Sequence, residues 1–178
     1  MMPIAAGKPR DEHQAIFSSK IDLVPKQYYY QVNGYAHFSN RPVVFLDQSL
    51  KLLRRGKSRL EKLKGNIPEN MFFLHADALD LPFREKSYRT VISLNLLHCL
   101  TDLKAVLREI ERVLAVNGNS ILTTLVKGTR WSNRYLEMLG RSGALVSRSS
   151  EELLSAFNDV EMQVTHRIKG NLAFIKYG

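Results

Sequence analysis

Cysteine is almost absent from this chain. Cys99 is the only one in 178 residues, so no intramolecular disulfide can form. Long apolar runs are missing as well: "VVFL" (43–46) is typical, far short of the roughly 20 residues that a membrane-spanning helix needs. The opening "MMPIAAGKPRDEHQ" has no apolar h-region, so no secretory signal is expected. Together these features favour a cytoplasmic location as the expectation. The sequence also lacks internal repeats and low-complexity tracts. It has no Walker loop and no G-x-G-x-x-G, which argues against P-loop and nicotinamide enzymes. His13, His37, His75, His98 and His166 are scattered without ligand-like spacing, so no metal site is expected.

The residues present suit a globular protein. Hydrophobic residues make up 44% and charged residues 24%, and the length allows one core but not two ordinary domains. The reading is a single unit over 1–178, with 1–27 an N-terminal extension that is helical around "EHQAIF". Lys and Arg number 26 against 17 Asp and Glu, a basic excess that attracts anions without specifying a fold.

Short β-rich runs alternate with helical patterns. The runs are "YYYQV" (28–32), "VVFLD" (43–47), "MFFLHA" (71–76), "TVISLN" (90–95) and "SILTTLV" (120–126). Their consecutive apolar positions suit strands buried on both faces of a parallel sheet. In "SLKLLRRGKSRLEKLKG" (49–65), Leu53, Gly56, Leu60 and Leu63 recur at helical spacing, between Ser49 as N-cap and Gly65 as stop. "TDLKAVLREIERVLAVNG" carries an apolar stripe of Leu103, Val106, Leu107, Ile110 and Leu114, is capped by Thr101 or Asp102, and ends at Asn117-Gly118. Ser149 and Glu152 form a capping box for a helix over "EELLSAF". Two strand-like runs around Lys169-Gly170-Asn171 read as a β-hairpin. The expected fold is α/β: a mainly parallel sheet covered on both sides and finished by an antiparallel hairpin.

Three places could carry chemistry. Asp47 ends a strand, where ligands bind in open α/β sheets and an acid can accept from both hydroxyls of a ribose. Its structural alternative, an acid stabilised by a helix N-terminus, is slightly favoured by the residue alone. "HADALDLPF" (75–83) puts Asp77 after the third apolar strand, able to accept from an exocyclic amine, with a Leu-Pro-Phe turn to cover a planar base; an ordinary strand-to-helix turn reads equally well. "VISLNLLHCL" (91–100) places Asn95 and His98 at the end of a central strand. His98 is a weak general-base candidate, because a lone histidine is more often a structural hydrogen-bonder.

The order "VVFLDQS", "ADALDLPF", "VISLNLLHCL", "LREIERVLAVNGNSILTTLV" resembles the class I S-adenosylmethionine-dependent methyltransferases, over about residues 28 to 178. The resemblance implies a Rossmann-like methyltransferase fold and S-adenosylmethionine as cofactor, with S-adenosylhomocysteine as product. It implies that Asp47 binds the ribose diol with Gln48 beside the adenine, and that Asp77 and Ala78 contact the adenine edge. Asn95 and Leu96 then line the methionine side, with His98 nearby and Leu97 in the core.

The chain departs from that family at its glycine-rich turn. Aligned there, Gly34 takes the last glycine position, while Val32 and Tyr30 fall at the earlier ones and Tyr28 at the acid. Glycine serves such a turn because the backbone must approach the ligand without a Cβ. Arg89 stands where the family often has Asp, and "AVNGN" replaces its Lys-Pro-Gly-Gly turn. The loop therefore binds by an altered path, the chain is a degenerate member, or its start has been rearranged. The leading expectation is methyl transfer to a small-molecule acceptor. The alternative is a non-catalytic relative that serves as a protein-binding or regulatory partner. RNA is a third and weaker partner, motivated by the basic stretches at 51–64 and 127–148. Leu53, Leu60 and Leu63 should face the sheet, leaving those charges as a solvated face.

Overall fold

The computed structural model describes residues 13–18 and 42–178, except 129 and 142–144. Among the described residues, seven strands form one sheet: β1 (His13–Ser18), β2 (Val43–Asp47), β3 (Met71–His75), β4 (Tyr88–Leu94), β5 (Leu114–Leu125), β6 (Val164–Lys169) and β7 (Leu172–Tyr177). Their order across the sheet is β3-β2-β1-β4-β5-β7-β6. The first five are mutually parallel, and β7 runs antiparallel to both β5 and β6. Among the described residues, four α-helices join them: α1 (Leu50–Lys64), α2 (Leu103–Val113), α3 (Arg130–Arg141) and α4 (Ser150–Asn158).

The apolar run of β2 works as the sequence implies, whereas Phe72 of the edge strand β3 is 51% exposed and Ile121 of β5 43%. In β2, Val43 and Phe45 pack into a cluster with Leu60 of α1, while Val44 and Leu46 pack into the larger cluster that holds α2 and α4. Alternate residues thus go to opposite faces, and both faces are covered. The larger cluster rests on Leu107, Ile110, Val113 and Phe157, none of them exposed to solvent. Burying each such side chain contributes about 1.5–3 kcal/mol.

The caps also follow the sequence. The Ser49 hydroxyl accepts the Leu52 N–H at 3.3 Å, and the Gly65 N–H, at φ +80°, donates to the Glu61 carbonyl at 2.8 Å. Asp102, not Thr101, caps α2 by accepting the Ala105 N–H at 2.9 Å. Ser149 and Glu152 form the full capping box of α4. Gly170, at φ +62°, makes the two-residue turn of the C-terminal hairpin possible.

Gly56 has no such role. It lies inside α1, and a Cβ built there meets nothing within 4 Å. Gly56→Ala should therefore stabilise the protein by about 1 kcal/mol, a rise in Tm of about 2–4 °C in a thermal melt. An unchanged or lower Tm would show that Gly56 is needed for a contact.

Two sequence expectations are corrected. The stretch around "EHQAIF", read as helical and as part of an N-terminal extension, contains β1, which pairs with β2 on one side and β4 on the other. A short apolar run is ambiguous between helix and strand by periodicity alone. Here two neighbouring strands supply the backbone partners. "YYYQV" (28–32), read as the first strand, and Gly34 lie outside the described residues. The second correction concerns α2, which stops at Val113 rather than at Asn117-Gly118. Leu114 already pairs with Tyr88, and the register shifts before Asn119 pairs with Thr90. Asn117, at φ +63°, sits in that irregularity. A Cβ on Gly118 would come within 2.8 Å of the Ala115 carbonyl oxygen, so glycine is needed where the chain doubles closely on itself.

Candidate functional site

The chain order across the sheet reverses between β1 and β4, which makes the crevice beyond the carboxyl ends of β1, β2 and β4 the expected ligand site. The candidate residues of β2, β3 and β4 all lie at that edge.

Asp47 is the last residue of β2 and only 3% exposed. Its Oδ1 accepts the Ser49 N–H at 2.7 Å, just before α1 begins. The carboxylate thus lies at a helix start, where the dipole favours negative charge, and at the strand end where a ligand would lie. Gln48 follows and is exposed. Its side-chain amide donates to Asp77 Oδ2 at 3.2 Å, and its carbonyl lies 2.9 Å from His75 Nε2. The ends of β2 and β3 are thereby tied together. His75 is a member of this group that the sequence reading did not single out; its position two residues before Asp77, at a strand end, was the available signal.

Asp77 Oδ1 accepts the Leu79 N–H at 3.0 Å, so the carboxylate is held by its own turn. Ala78 is 7% exposed and packs into the larger core, which leaves its backbone as the part it can offer a ligand. Beyond β4, Asn95 turns the chain at φ +55°. Its N–H donates to the Thr123 carbonyl at 2.8 Å and lies 3.2 Å from the Thr123 hydroxyl. Its Oδ1 is buried and accepts no hydrogen bond among the described residues. A buried acceptor left open is costly and is free to take a ligand's donor; among the described residues the Ser93, Ser120 and Ser147 hydroxyls are buried and open in the same way. Leu96 and Leu97 are buried in the core.

His98 is also buried. Its Nδ1 accepts the Leu125 N–H at 3.2 Å and lies 3.2 Å from the Thr124 hydroxyl. With Nδ1 as acceptor, the neutral ring carries its proton on Nε2. Burial lowers its pKa to about 4, and the positive charge of Arg148 pushes the same way. Near neutral pH this histidine is an uncharged donor whose basic nitrogen is already engaged. That arrangement suits a structural tie from the 3₁₀ turn Leu97–Cys99 to the end of β5 better than proton abstraction.

Arg148 completes that tie and was not legible in the sequence. Its guanidinium donates to the carbonyls of Leu97 at 3.1 Å, Leu100 at 2.6 Å and Thr101 at 2.9 Å. The His98 carbonyl accepts the Val146 N–H at 2.7 Å. The loop after β4 is thus strapped from outside by residues 146–148.

The donor and acceptor chemistry of these residues fits S-adenosylmethionine. That cofactor offers donors at its ribose diol, its adenine amine and its ammonium group. The strand ends offer acceptors in Asp47, Asp77 and Asn95 Oδ1. Lys51, Arg54, Arg55, Lys57 and Lys62 of α1 are exposed, while Leu53 and Leu60 are buried, so the basic charges of this helix form its solvated side.

Comparison with known proteins bears on the family and the fold. A family profile described as a methyltransferase domain matches residues 30–122, just over half of the chain. The match starts beyond β1. Bacillus subtilis YrhH, named provisionally as a methyltransferase, is 27% identical over 94 residues, covering 51% of this chain and 52% of its own. The chain spans about half or less of the curated relatives it matches, 52% of one and 32% of another. Among solved structures, a Haloferax volcanii protein provisionally called a methyltransferase, in complex with the Trm112 methyltransferase activator, aligns at a TM-score of 0.70 and 16% identity, covering 95% of this chain and 84% of that one. The geranyl diphosphate C-methyltransferase of Streptomyces coelicolor, with Mg2+, geranyl diphosphate and S-adenosylhomocysteine bound, aligns at 0.67 and 14%, covering 93% and 70%.

Proposed function

The chain belongs to the S-adenosylmethionine-dependent methyltransferase family, and from that premise we propose that it transfers the cofactor's methyl group to a small-molecule acceptor in the cytoplasm. The observation that supports this reading is the set of three acceptors along the carboxyl edge of the sheet: Asp47 at the end of β2, Asp77 after β3 and the open Oδ1 of Asn95 after β4. S-adenosylmethionine supplies an electrophilic methyl group on a sulfonium centre. The protein's part is to bind and orient. Asp47 accepts from the ribose hydroxyls, Asp77 from the adenine amine and Asn95 Oδ1 from the ammonium group, while Gln48, Ala78 and Leu96 border the same crevice. Gly34 enters the proposed site on the sequence resemblance alone.

Once the donor is fixed, most of the remaining barrier is alignment of the acceptor, which needs no general base unless the acceptor must lose a proton. His98 supports the loop rather than the chemistry. No helix among the described residues is long and apolar enough to cross a membrane. A protein partner that completes the site is part of this reading, since one structural neighbour sits with an activator. Calorimetric titration with S-adenosylhomocysteine tests the proposal. Micromolar binding, about −8 kcal/mol, is expected. No heat at millimolar ligand would instead favour the non-catalytic relative.

A further inference from the structure

The turn between β3 and β4 is fixed to the helix beneath it by one pair of side chains. Arg112, in the last turn of α2, spans Glu109 with two bonds of 2.7 Å. The same guanidinium donates to the carbonyls of Phe83 at 2.8 Å and Leu81 at 2.9 Å. Glu109 Oε2 accepts the Leu81 N–H at 2.8 Å. Both backbone groups of Leu81 are therefore held by the pair. Just past the turn, the Lys86 N–H donates to the Arg112 carbonyl at 2.8 Å. On the other side, Asp80 forms a bridge to Asp77, whose Oδ1 holds the Leu79 N–H. The chain of bonds runs from α2 to the Asp77 carboxylate.

An ion pair that only stabilised α2 would need Glu109 alone. This one also spends three of its groups on the backbone of a neighbouring turn. Guanidinium is the side chain that can do so, because its planar fork reaches a carboxylate and two carbonyls at once. The pair strengthens itself: the bond to Arg112 holds the Glu109 carboxyl below its usual pKa.

We propose that Glu109 and Arg112 are positioning residues for the adenine side of the cofactor site: they stake the 77–83 turn to α2 and so aim Asp77 at the exocyclic amine. This rests on the cofactor reading above. The test compares S-adenosylhomocysteine with S-inosylhomocysteine, which carries oxygen in place of that amine. The parent should prefer the amine-bearing ligand by about tenfold or more, the worth of one hydrogen bond to a charged acceptor. Arg112→Met should reduce the preference to about threefold or less, with amide exchange accelerated over 77–83 and not over β5. Arg112→Lys, which restores the charge but not the fork, should stay near the Met value.

If Arg112→Met weakens both ligands by the same factor, the pair is only structural and the proposal fails. Should that variant not fold, Glu109→Gln decides. It keeps the side chain's shape while weakening the grip on Leu81, so a parental preference overturns the proposal whether or not exchange over 77–83 is accelerated. A parent that binds neither ligand overturns the cofactor reading itself. A parent that binds, with variants that keep its preference, overturns the positioning role alone.

Discussion

Asp47→Ala is expected to weaken S-adenosylhomocysteine binding by about a hundredfold or more. A carboxylate that accepts from both hydroxyls of a ribose makes two charge-assisted hydrogen bonds, each worth about 1.5–3 kcal/mol, and a hundredfold corresponds to about 2.7 kcal/mol. The alanine also removes the acceptor of the Ser49 N–H at the start of α1, so some stability goes with it. Asp47→Asn separates the two effects. Its side-chain oxygen can still accept from Ser49, which preserves the helix start, while the second acceptor becomes a donor that meets a hydroxyl poorly. The asparagine variant should melt close to the parent yet bind about tenfold or more weakly. If both variants bind like the parent, Asp47 is only the helix-start acid and the ribose lies elsewhere.

Arg148→Met should cost about 2–4 kcal/mol of stability, read as a lower urea midpoint. Three carbonyls, those of Leu97, Leu100 and Thr101, lose a charged donor, and the first two are only partly open to water. The same substitution should change the acid response. His98 is neutral in the folded protein, with its pKa lowered from 6.5 to about 4. In the unfolded chain it takes up a proton below about 6.5. The unfolded state therefore binds more protons between these values, and stability present above pH 6.5 is lost as pH falls toward 4, by up to about 3 kcal/mol from this residue. Removing the Arg148 charge should raise the folded pKa of His98 toward its ordinary value and shrink that loss. The His98 imidazole resonances, followed by NMR against pH, read this directly. An apparent pKa near 6.5 in the parent would show that the ring is not held as described.

Much of the fold was legible because the relevant forces are local. "VVFLD" and "TVISL" are near-continuous apolar runs, and a sheet covered on both faces buries most residues of such a run, whereas "MFFLH" forms the edge strand β3 and leaves Phe72 half exposed. Ser49, Gly65, Ser149 and Glu152 act within a few residues of where they stand. "HQAIFS" failed because it is too short to show a period, and its partners in β2 and β4 are distant in sequence. Asp47, Asp77 and Asn95 could be placed by reading which residues end strands. Arg148 could not, since its carbonyl partners lie 47 to 51 residues away and nothing local distinguishes it from the other cations. The same holds for Arg112, which bonds to Phe83 and Leu81 across 29 and 31 residues.

The central claim is that the strand ends of β2, β3 and β4 form one cofactor site. The most direct measurement is a titration of 15N-labelled protein with S-adenosylhomocysteine, followed residue by residue. The amides of Gln48, Asp77, Ala78, Asn95 and Leu96 should shift together along one saturating curve, while Arg54 and Lys62 on the solvated side of α1 stay still. Shifts confined to that basic helix, or no shifts at millimolar ligand, would contradict the account.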